Sequence, residues 1–267
     1  MILIISTALA RELGVAVATH GPSIGGLFTD EWINGDSFIA RQEVDQRVIT
    51  PDNSFVLNSQ RNLHRARLSA EQAVELLTTF SPNAPRWHLA EMYFVQAYVE
   101  NILAEHFCSG LVFSTVVDGR EEFGSPITTT EALERALGHA DQGLALATGT
   151  TAADVRVRHA LQVTRGRILL NLNRPAEAAS AVAGVPTNYR YQMLHTQQVE
   201  STNYFYLRNV LERRYSVSSG EGGNGLNFGT AADPRVPVCE GNDTAWNEFS
   251  ELARQQESLA RAAPSRR

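Results

Sequence analysis

Two pairs of adjacent acidic residues, Asp30/Glu31 and Glu121/Glu122, are the first candidates for chemistry in this chain. Two carboxyl groups hydrolyse a glycosidic bond when they face each other across a cleft, roughly 5–10 Å apart. Adjacent positions in a sequence do not supply that separation by themselves. A glycoside hydrolase is therefore the less favoured hypothesis, and solvated surface charge is the alternative interpretation of both pairs.

The sequence has no other pattern typical of catalysis or of cofactor binding. It contains neither a GxSxG nucleophile motif nor an HExxH metal motif, and its seven histidines have no metal-binding spacing. The glycine-rich stretch Ser218–Gly229 lacks the GxGxxG and GKS or GKT patterns that cradle phosphates. Cys108 and Cys239 are far apart and outside any Cys/His metal pattern, so we interpret them as buried or free thiols. We expect no enzymatic activity, no metal and no cofactor.

An aromatic residue among acids and amides favours a different chemistry, which is sugar recognition. In the segment DEWINGD, Trp32 offers an apolar ring face for stacking, and Asp36 offers a carboxylate for hydroxyl groups. A buried tryptophan flanked by capping acids is the alternative. If the chain binds a ligand, we expect contacts from loops at one end of the helix pairs. The candidate residues are Trp32 and Asp36 in the first loop, Phe55 and Asn58 just before the second helix, and Tyr215 and Asn224 at the glycine-rich loop.

Net charge argues against two classes of partner. The 267 residues carry a formal net charge of −6, with a pI near 5.7. Nucleic-acid binding depends on Lys and Arg meeting phosphates, and anionic membrane surfaces attract basic patches, so neither partner is expected. The apolar N-terminus is too short to span a bilayer and has no basic residue before it. We expect a helix over Ile2–Val17 that packs on the body of the protein.

The segment Trp87–Gly110 has the most extensive apolar pattern and no internal proline or glycine. Apolar residues occur on two opposite sides of the predicted helix, with Leu103 on one side and Ile102 on the other. A helix of this kind is normally buried between other elements. It is expected to end at Ser109-Gly110, where glycine accepts a left-handed cap.

Two polar residues, Gln96 and Glu100, lie within the larger apolar arc of this helix. A buried amide or carboxylate without a hydrogen-bond partner costs several kcal/mol in order of magnitude. We therefore expect both side chains to tie neighbouring helices or loops together.

Further helices are indicated by apolar residues repeating at three and four positions. The Gln60–Phe80 stripe is rich in alanine, which lets another helix approach closely. Thr128 and Glu131 fit a capping box, and Pro175 suits a first helical turn. The remaining predicted helices are Thr129–Ala147, Ala153–Leu172 and Ala176–Ala183.

The last two of these helices resemble a tetratricopeptide unit, in which an alanine-rich second helix packs into the first. The earlier pairs have similar lengths but no clean 34-residue period. The predicted fold is therefore all-α, built from degenerate tetratricopeptide-like helical hairpins with long decorating loops and no substantial sheet. We expect one helical domain over residues 1–238, followed by a polar tail over 239–267 that forms one helix or is disordered.

Seven segments occur in a characteristic order along the chain. They are Asp30–Phe38, Arg61–Leu77, Ala90–Gly110, Phe123–Leu137, Arg165–Tyr191, Arg213–Phe228 and Ala232–Pro237. In this order they resemble the RagB/SusD family of outer-membrane nutrient-uptake lipoproteins. The resemblance covers roughly residues 5 to 238, and the collinear set is more specific than any single segment.

The resemblance implies a helical scaffold of four tetratricopeptide-like units at the cell outer membrane. Members of the family bind glycans or other nutrients without catalysis and pass them to a TonB-dependent barrel transporter. Their ligand site is formed by loops, often with aromatic residues, and the family pattern places the entry to the Arg61 helix near the ligand. An aromatic residue expected beside that helix is replaced here by Val56-Leu57.

Three features depart from the family pattern. Members usually begin with a lipoprotein signal and a lipidated cysteine, they are usually much longer, and their continuation differs from the residues after Val238. We expect a short form or a truncated or frameshifted reading frame. A generic helical-repeat adaptor that binds a peptide in its concave face is the alternative function.

Overall fold

Helices dominate the part of the chain that the computed structural model describes, which is residues 24–29, 32–35, 37–117, 119–193, 195, 203–212, 214–216 and 227. The prediction of a mainly α-helical protein is confirmed for these residues. The helices of seven or more residues are α1 (Ile39–Asp45), α2 (Ser54–Phe80), α3 (Trp87–His106), α4 (Thr129–Leu146), α5 (Ala152–Asn171) and α6 (Pro175–Val182).

Strands are short and form three antiparallel pairs in the described residues. They are β1 (Ile33–Asn34), β2 (Leu111–Val112), β3 (Thr115–Val117), β4 (Arg120–Glu122), β5 (Pro126–Ile127) and β6 (Tyr215–Ser216). Strand β1 pairs with β6, β2 with β5, and β3 with β4. No larger sheet occurs in the described ranges, as the sequence predicted.

The described residues fall into two compact units. The first contains the described residues of Ser54–Tyr204, and therefore helices α2 to α6 and strands β2 to β5. The second contains Gly26–Asn53 and described residues from Phe205 onward, with α1, β1 and β6. The predicted N-terminal helix and the tail over 239–267 lie outside the described residues, as does most of the glycine-rich stretch.

Helix α3 is the centre of the first unit. It packs against α2, α4 and α5, so nearly every side of it contacts another helix. Leu103 and Val99 on one side and Phe94 and Ile102 on the other are all buried. The expectation that this helix is enclosed by other elements is confirmed, because its apolar residues leave no wide polar face for solvent.

The end of α3 differs from the prediction. The helix stops at His106, and Phe107 is already extended, with φ −118° and ψ 142°. Gly110 has φ +106°, a value that favours glycine, but it lies in the following connection, where its N–H donates to the carbonyl oxygen of Ile127 at 2.8 Å. The predicted left-handed cap at Ser109-Gly110 is wrong, because the chain leaves the helix in extended form to enter β2.

Helix α2 begins earlier than predicted. It starts at Ser54, so Phe55 and Asn58 lie in its first turns and not in a loop before it. Helix α1 was also missed, since its sequence IARQEVD is too short to establish a periodic pattern. The alanine stripe of α2 is buried as expected, and Ala66 and Ala70 are fully covered by the neighbouring helix.

Local capping chemistry sets the starts of α4 and α5. The predicted box at Thr128 is present, with the Glu131 N–H donating to Thr128 Oγ1 at 3.2 Å and the Thr128 N–H donating to Glu131 Oε2 at 2.7 Å. These hydrogen bonds lower the pKa of Glu131. A second box, between Thr151 and Asp154, starts α5. Pro175 occupies the first turn of α6, as predicted.

The second unit is held by polar contacts around α1. Asn53 Nδ2 donates to the carbonyl oxygen of Ala40 at 2.8 Å and to Glu43 Oε2 at 2.6 Å. The backbone N–H of Asn34 donates to Asp45 Oδ1 at 3.1 Å. These bonds fix β1 and the chain that follows α1 against the same short helix.

Among the described helices, none combines the length and the apolar character needed to cross a membrane.

Gly143 and Gly138, both in α4, provide a matched pair of substitutions. A Cβ on Gly143 would lie 2.7 Å from Leu161 Cδ2, whereas a Cβ on Gly138 would have no atom within 4 Å. We expect Gly143→Ala to destabilise by about 1–3 kcal/mol through overpacking. Gly138→Ala is expected to stabilise by about 0.5–1 kcal/mol, because alanine is the better helix former. Urea unfolding of the two variants measures both effects, and equal changes would contradict this packing.

Leu103→Ala removes a fully buried side chain from α3. We expect a loss of about 2–5 kcal/mol in the free energy of unfolding, from lost burial and the remaining cavity. Leu170→Ala, at a side chain that is 60% exposed in α5, is the control and should change stability by less than about 0.5 kcal/mol. A denaturant midpoint for Leu103→Ala equal to that of the parent would show that α3 is peripheral.

Candidate functional site

The connection between α3 and α4 forms a β-arm, Leu111–Ile127, which is a candidate interaction site of the first unit. Strands β2 and β5 pair at its base, with Leu111 opposite Ile127. Strands β3 and β4 pair beyond them, with Thr115 opposite Glu122 and Val117 opposite Arg120. The arm therefore consists of two nested antiparallel ladders, and all three residues of β4 are exposed.

The sequence contains a hairpin signal for this arm. Val116-Val117 is followed by an Asp-Gly dipeptide at positions 118–119, which is a strong hairpin signal after an apolar pair. Gly119 has φ +74°, which such a turn requires and which glycine adopts without strain. The short strands lack the longer alternation that identifies a sheet, so helical periodicity dominated the prediction.

Phe113 anchors the base of the arm to the helices. The guanidinium carbon of Arg67 lies 5.7 Å from its ring centroid and that of Arg135 lies 5.4 Å away. The His64 ring meets it edge-on, with centroids 5.8 Å apart. Gly124 lies against the backbone of Phe113, because a Cβ there would be 2.5 Å from the Phe113 carbonyl oxygen. Cation–π contacts and this close backbone approach hold both sides of the arm in place.

Helix α2 supplies the polar part of the anchor. Arg67 is 2% exposed and donates to Glu71 Oε2 at 2.7 Å and to the carbonyl oxygen of Ser114. Glu71 Oε1 in turn accepts from the Thr115 hydroxyl at 2.7 Å. One buried arginine and one carboxylate therefore fix the start of β3.

Glu100 of α3 lies behind this anchor and is completely buried. Its Oε1 accepts from Arg135 Nε at 2.8 Å, and its Oε2 lies 2.8 Å from His139 Nδ1. Both partners belong to α4, so the prediction that Glu100 ties neighbouring helices together is confirmed. Gln96 is buried as expected.

Glu105, near the end of α3, makes the equivalent connection to α5. Arg167 binds it through two bonds, from Nε at 2.7 Å and from Nη2 at 2.6 Å, in the bidentate geometry typical of strong pairs. Asn171 and Asn101 donate to the same carboxylate at 2.6 and 2.8 Å. Burial by itself would raise the pKa of Glu105, but these hydrogen bonds and the Arg167 charge lower it.

Glu91, near the start of α3, holds the chain that follows α6. Its Oε1 accepts from Arg156 Nη2 at 2.8 Å and from the Tyr191 hydroxyl at 2.9 Å. Burial, followed by the charge of Glu91, raises the pKa of Tyr191 far above its ordinary value. The Tyr191 ring also packs against Phe94, with centroids 4.8 Å apart. These contacts use a carboxylate of α3 to fix the chain that follows α6 against the helices.

The tip carries charged and aromatic side chains that the core does not use. Arg120, Glu121 and Glu122 are exposed, and none makes an ion pair within the described ranges. Phe123 is 82% exposed. Successive side chains of a strand point to opposite faces, so Glu121 and Glu122 do not face each other across a cleft. These two residues by themselves therefore do not form the facing carboxylates of a glycoside hydrolase, and the other acidic pair, Asp30/Glu31, lies outside the described residues.

Of the residues proposed for ligand binding, Trp32 and Tyr215 lie in the second unit. Trp32 is half-buried, and its ring covers Gly26, where a Cβ would be 1.9 Å from Trp32 Cδ1. Tyr215 is in β6, opposite Asn34 of β1, and is 2% exposed. The structure thus places both residues around one short ladder, with Tyr215 as a core side chain of that unit.

Two further candidates lie in the first unit. Phe55 and Asn58 belong to α2, where Phe55 is half-buried and exposed Asn58 accepts from Arg61 Nη1 at 3.0 Å. Asp36 and Asn224 lie outside the described residues. The described part of the chain contains no group of three potential metal ligands, and Cys108 there is an exposed free thiol.

Comparison with known proteins identifies no relative. No family model matches the chain, and no curated protein or solved structure matches it either.

His64, which contacts Phe113 at the base of the arm, makes stability depend on pH. Burial, followed by the charge of Arg67, lowers its pKa from 6.5 to about 4. Between these values the unfolded chain binds a proton that the folded chain does not, so stability should fall as pH decreases from about 7 to 4. The contribution is at most about 3 kcal/mol, because one pKa unit corresponds to about 1.4 kcal/mol.

Urea unfolding of the parent and of His64→Gln at intervals from pH 7.5 to 4 tests this expectation. The variant should lose less stability than the parent over that range, because glutamine does not titrate. Identical pH profiles for the two proteins would exclude a buried neutral histidine at this position.

Proposed function

We propose that this protein binds a glycan or another nutrient without changing it chemically and passes it to a TonB-dependent transporter at the cell outer membrane. The observation that carries this proposal is the collinear set of segments, from Asp30–Phe38 to Ala232–Pro237, that resembles the RagB/SusD family. A mainly helical scaffold is compatible with the proposal, since that family implies loops carried on paired helices.

We further propose that the helix pairs are degenerate tetratricopeptide-like units. Helices α5 and α6 support this interpretation, because they pack closely through small residues. A Cβ on Gly166 would be 2.8 Å from Val182 Cγ1, and Ala178 is buried between the two helices. Asn173, with φ +59°, and Pro175 form the short turn between them. Such a pair can stack on its neighbours without the consensus repeat sequence.

Trp32 is the proposed aromatic contact for the ligand. Its ring lies against Gly26, and its backbone N–H donates to the Gly26 carbonyl oxygen at 3.1 Å. A ring held in this way loses little conformational freedom when a sugar stacks on it. Half-burial leaves part of the indole accessible to a ligand.

A helical-repeat adaptor is the second candidate, favoured by exposed apolar side chains on the β-arm. Val117 is 44% exposed and Phe123 is 82% exposed, and both lie at or next to the paired strands of the tip. An exposed aromatic side chain beside an unpaired strand edge is compatible with a protein interaction site. An adaptor would bind a protein partner through this arm and would bind no glycan.

A binding screen with Trp32→Ala tests the ligand site. A glycan array followed by calorimetry should identify a ligand of the parent, and the variant should bind it at least tenfold more weakly, since truncating a tryptophan that anchors a ligand typically costs about 2 kcal/mol. Trp87→Ala, which removes a tryptophan from the start of α3, is the matched control and should keep the affinity. Circular dichroism verifies the folding of both variants.

Two results would count against the proposed function. Unchanged affinity of folded Trp32→Ala would remove the first loop from the site. Release of sugar products during incubation with the ligand would establish catalysis and contradict a binding protein. A pull-down with the parent, analysed for a barrel transporter, separates the uptake function from an adaptor with other partners.

A further inference from the structure

We propose that the β-arm pairs with the same arm of a second copy of this chain, through the outer edge of β4. In the described residues, β4 is paired on one side only, with β3. Strand β3 packs against α2, whereas all three residues of β4 are exposed. An exposed strand edge is a template on which another strand can form a ladder.

The backbone of β4 is oriented for this pairing at Glu121. Val117 and Arg120 flank the two-residue turn, and in such hairpins the flanking residues form a hydrogen-bonded pair. Antiparallel pairs alternate, so Val116 and Glu121 form a non-hydrogen-bonded pair. The N–H and carbonyl of Glu121 therefore point away from β3, toward the free edge. Two copies of Glu121 related by a two-fold axis can exchange both backbone hydrogen bonds.

The charges of β4 favour a second copy of this chain as the occupant. A two-fold axis at Glu121 places Arg120 of each copy opposite Glu122 of the other. The interface therefore contains two cross-strand pairs of opposite charge, each of the kind that stabilises antiparallel sheets. Each copy contributes the same surface to the interface, as a two-fold dimer requires. Neither Arg120 nor Glu122 has an ion pair within the described residues that would compete.

This strand register also determines the positions of two other side chains. Phe123, which is 82% exposed in one copy, lies next to the turn at Gly119 of the other and loses solvent contact there. Glu121 of one copy lies directly opposite Glu121 of the other, on the ladder face opposite to Arg120 and Glu122. Like charges directly opposite each other weaken the pairing. The resulting four-stranded ladder gains stability that a hairpin of three-residue strands lacks in water.

The expected dimer is weak. A ladder of three residues from each copy buries far less than the roughly 1,200 Å² of a standard stable interface. We therefore expect a dissociation constant on the order of 0.1–1 mM and weaker association at high salt, because the charge pairs are exposed.

Sedimentation equilibrium of the full chain between 10 µM and 2 mM, the range the expected dissociation constant implies, tests the proposal. Arg120→Glu and Glu122→Arg should each lower the association constant roughly tenfold, since each replaces two attractive pairs by two repulsive ones. The double variant restores opposite charges and should recover the parent constant. Arg65→Glu and Glu75→Arg, at exposed positions of α2, are the matched controls and should leave it unchanged.

Glu121→Pro tests the backbone contribution, because it removes the N–H at the free edge and leaves the hydrogen-bonded pairs with β3 in place. It should abolish association, whereas Glu121→Gln should strengthen it by relieving the charge repulsion. Circular dichroism and the urea midpoint verify folding. A parent that is monomeric up to 2 mM, a dimer insensitive to both kinds of variant, or failure of the double variant to recover would each overturn the proposal.

Discussion

The burial of α3 is the constraint on which the rest of the first unit depends. A helix enclosed by other helices cannot expose its charged side chains to solvent. A buried carboxylate without partners costs several kcal/mol in order of magnitude. Glu100, completely enclosed, therefore needs both Arg135 and His139 of α4. Glu105 is satisfied in the same way by Arg167 of α5. Apolar packing brings the helices together, and the acids restrict their register.

The same requirement positions the β-arm. Arg135 uses its Nε for Glu100 while its guanidinium lies over the ring of Phe113, so one side chain connects α3, α4 and the base of the arm. On the other side, Arg67 connects α2 to the arm through the carbonyl oxygen of Ser114. The hairpin, too short to be stable alone, is held by two arginines whose orientation the core determines. Its tip can remain exposed because its base is fixed.

Sequence periodicity predicted the long helices well and the connections poorly. The alanine stripe of α2 and the capping box at Thr128 are local signals, and the structure contains both. The paired strands of the arm were not predicted, because two- and three-residue strands are too short for an alternating pattern, although the Asp-Gly dipeptide at 118–119 is a local hairpin signal. Glu100 was expected to bind neighbouring elements, but its partners lie 35 and 39 residues away, so the sequence could not identify them.

The candidate ligand residues illustrate a second limit of prediction from the sequence, because residue type does not determine exposure. Trp32 and Tyr215 are both aromatic residues near glycines, yet Trp32 is half-buried against Gly26 and Tyr215 is almost fully buried in β6. No sequence pattern marks Phe123 as a contact residue, because it has no periodic or aromatic partner nearby. It is nevertheless 82% exposed. Phe123 directly follows β4, whose three residues are exposed, whereas Phe113 is contacted by Arg67, Arg135 and His64. Tertiary contacts, and not residue type, therefore determine which aromatic side chain of the arm reaches solvent.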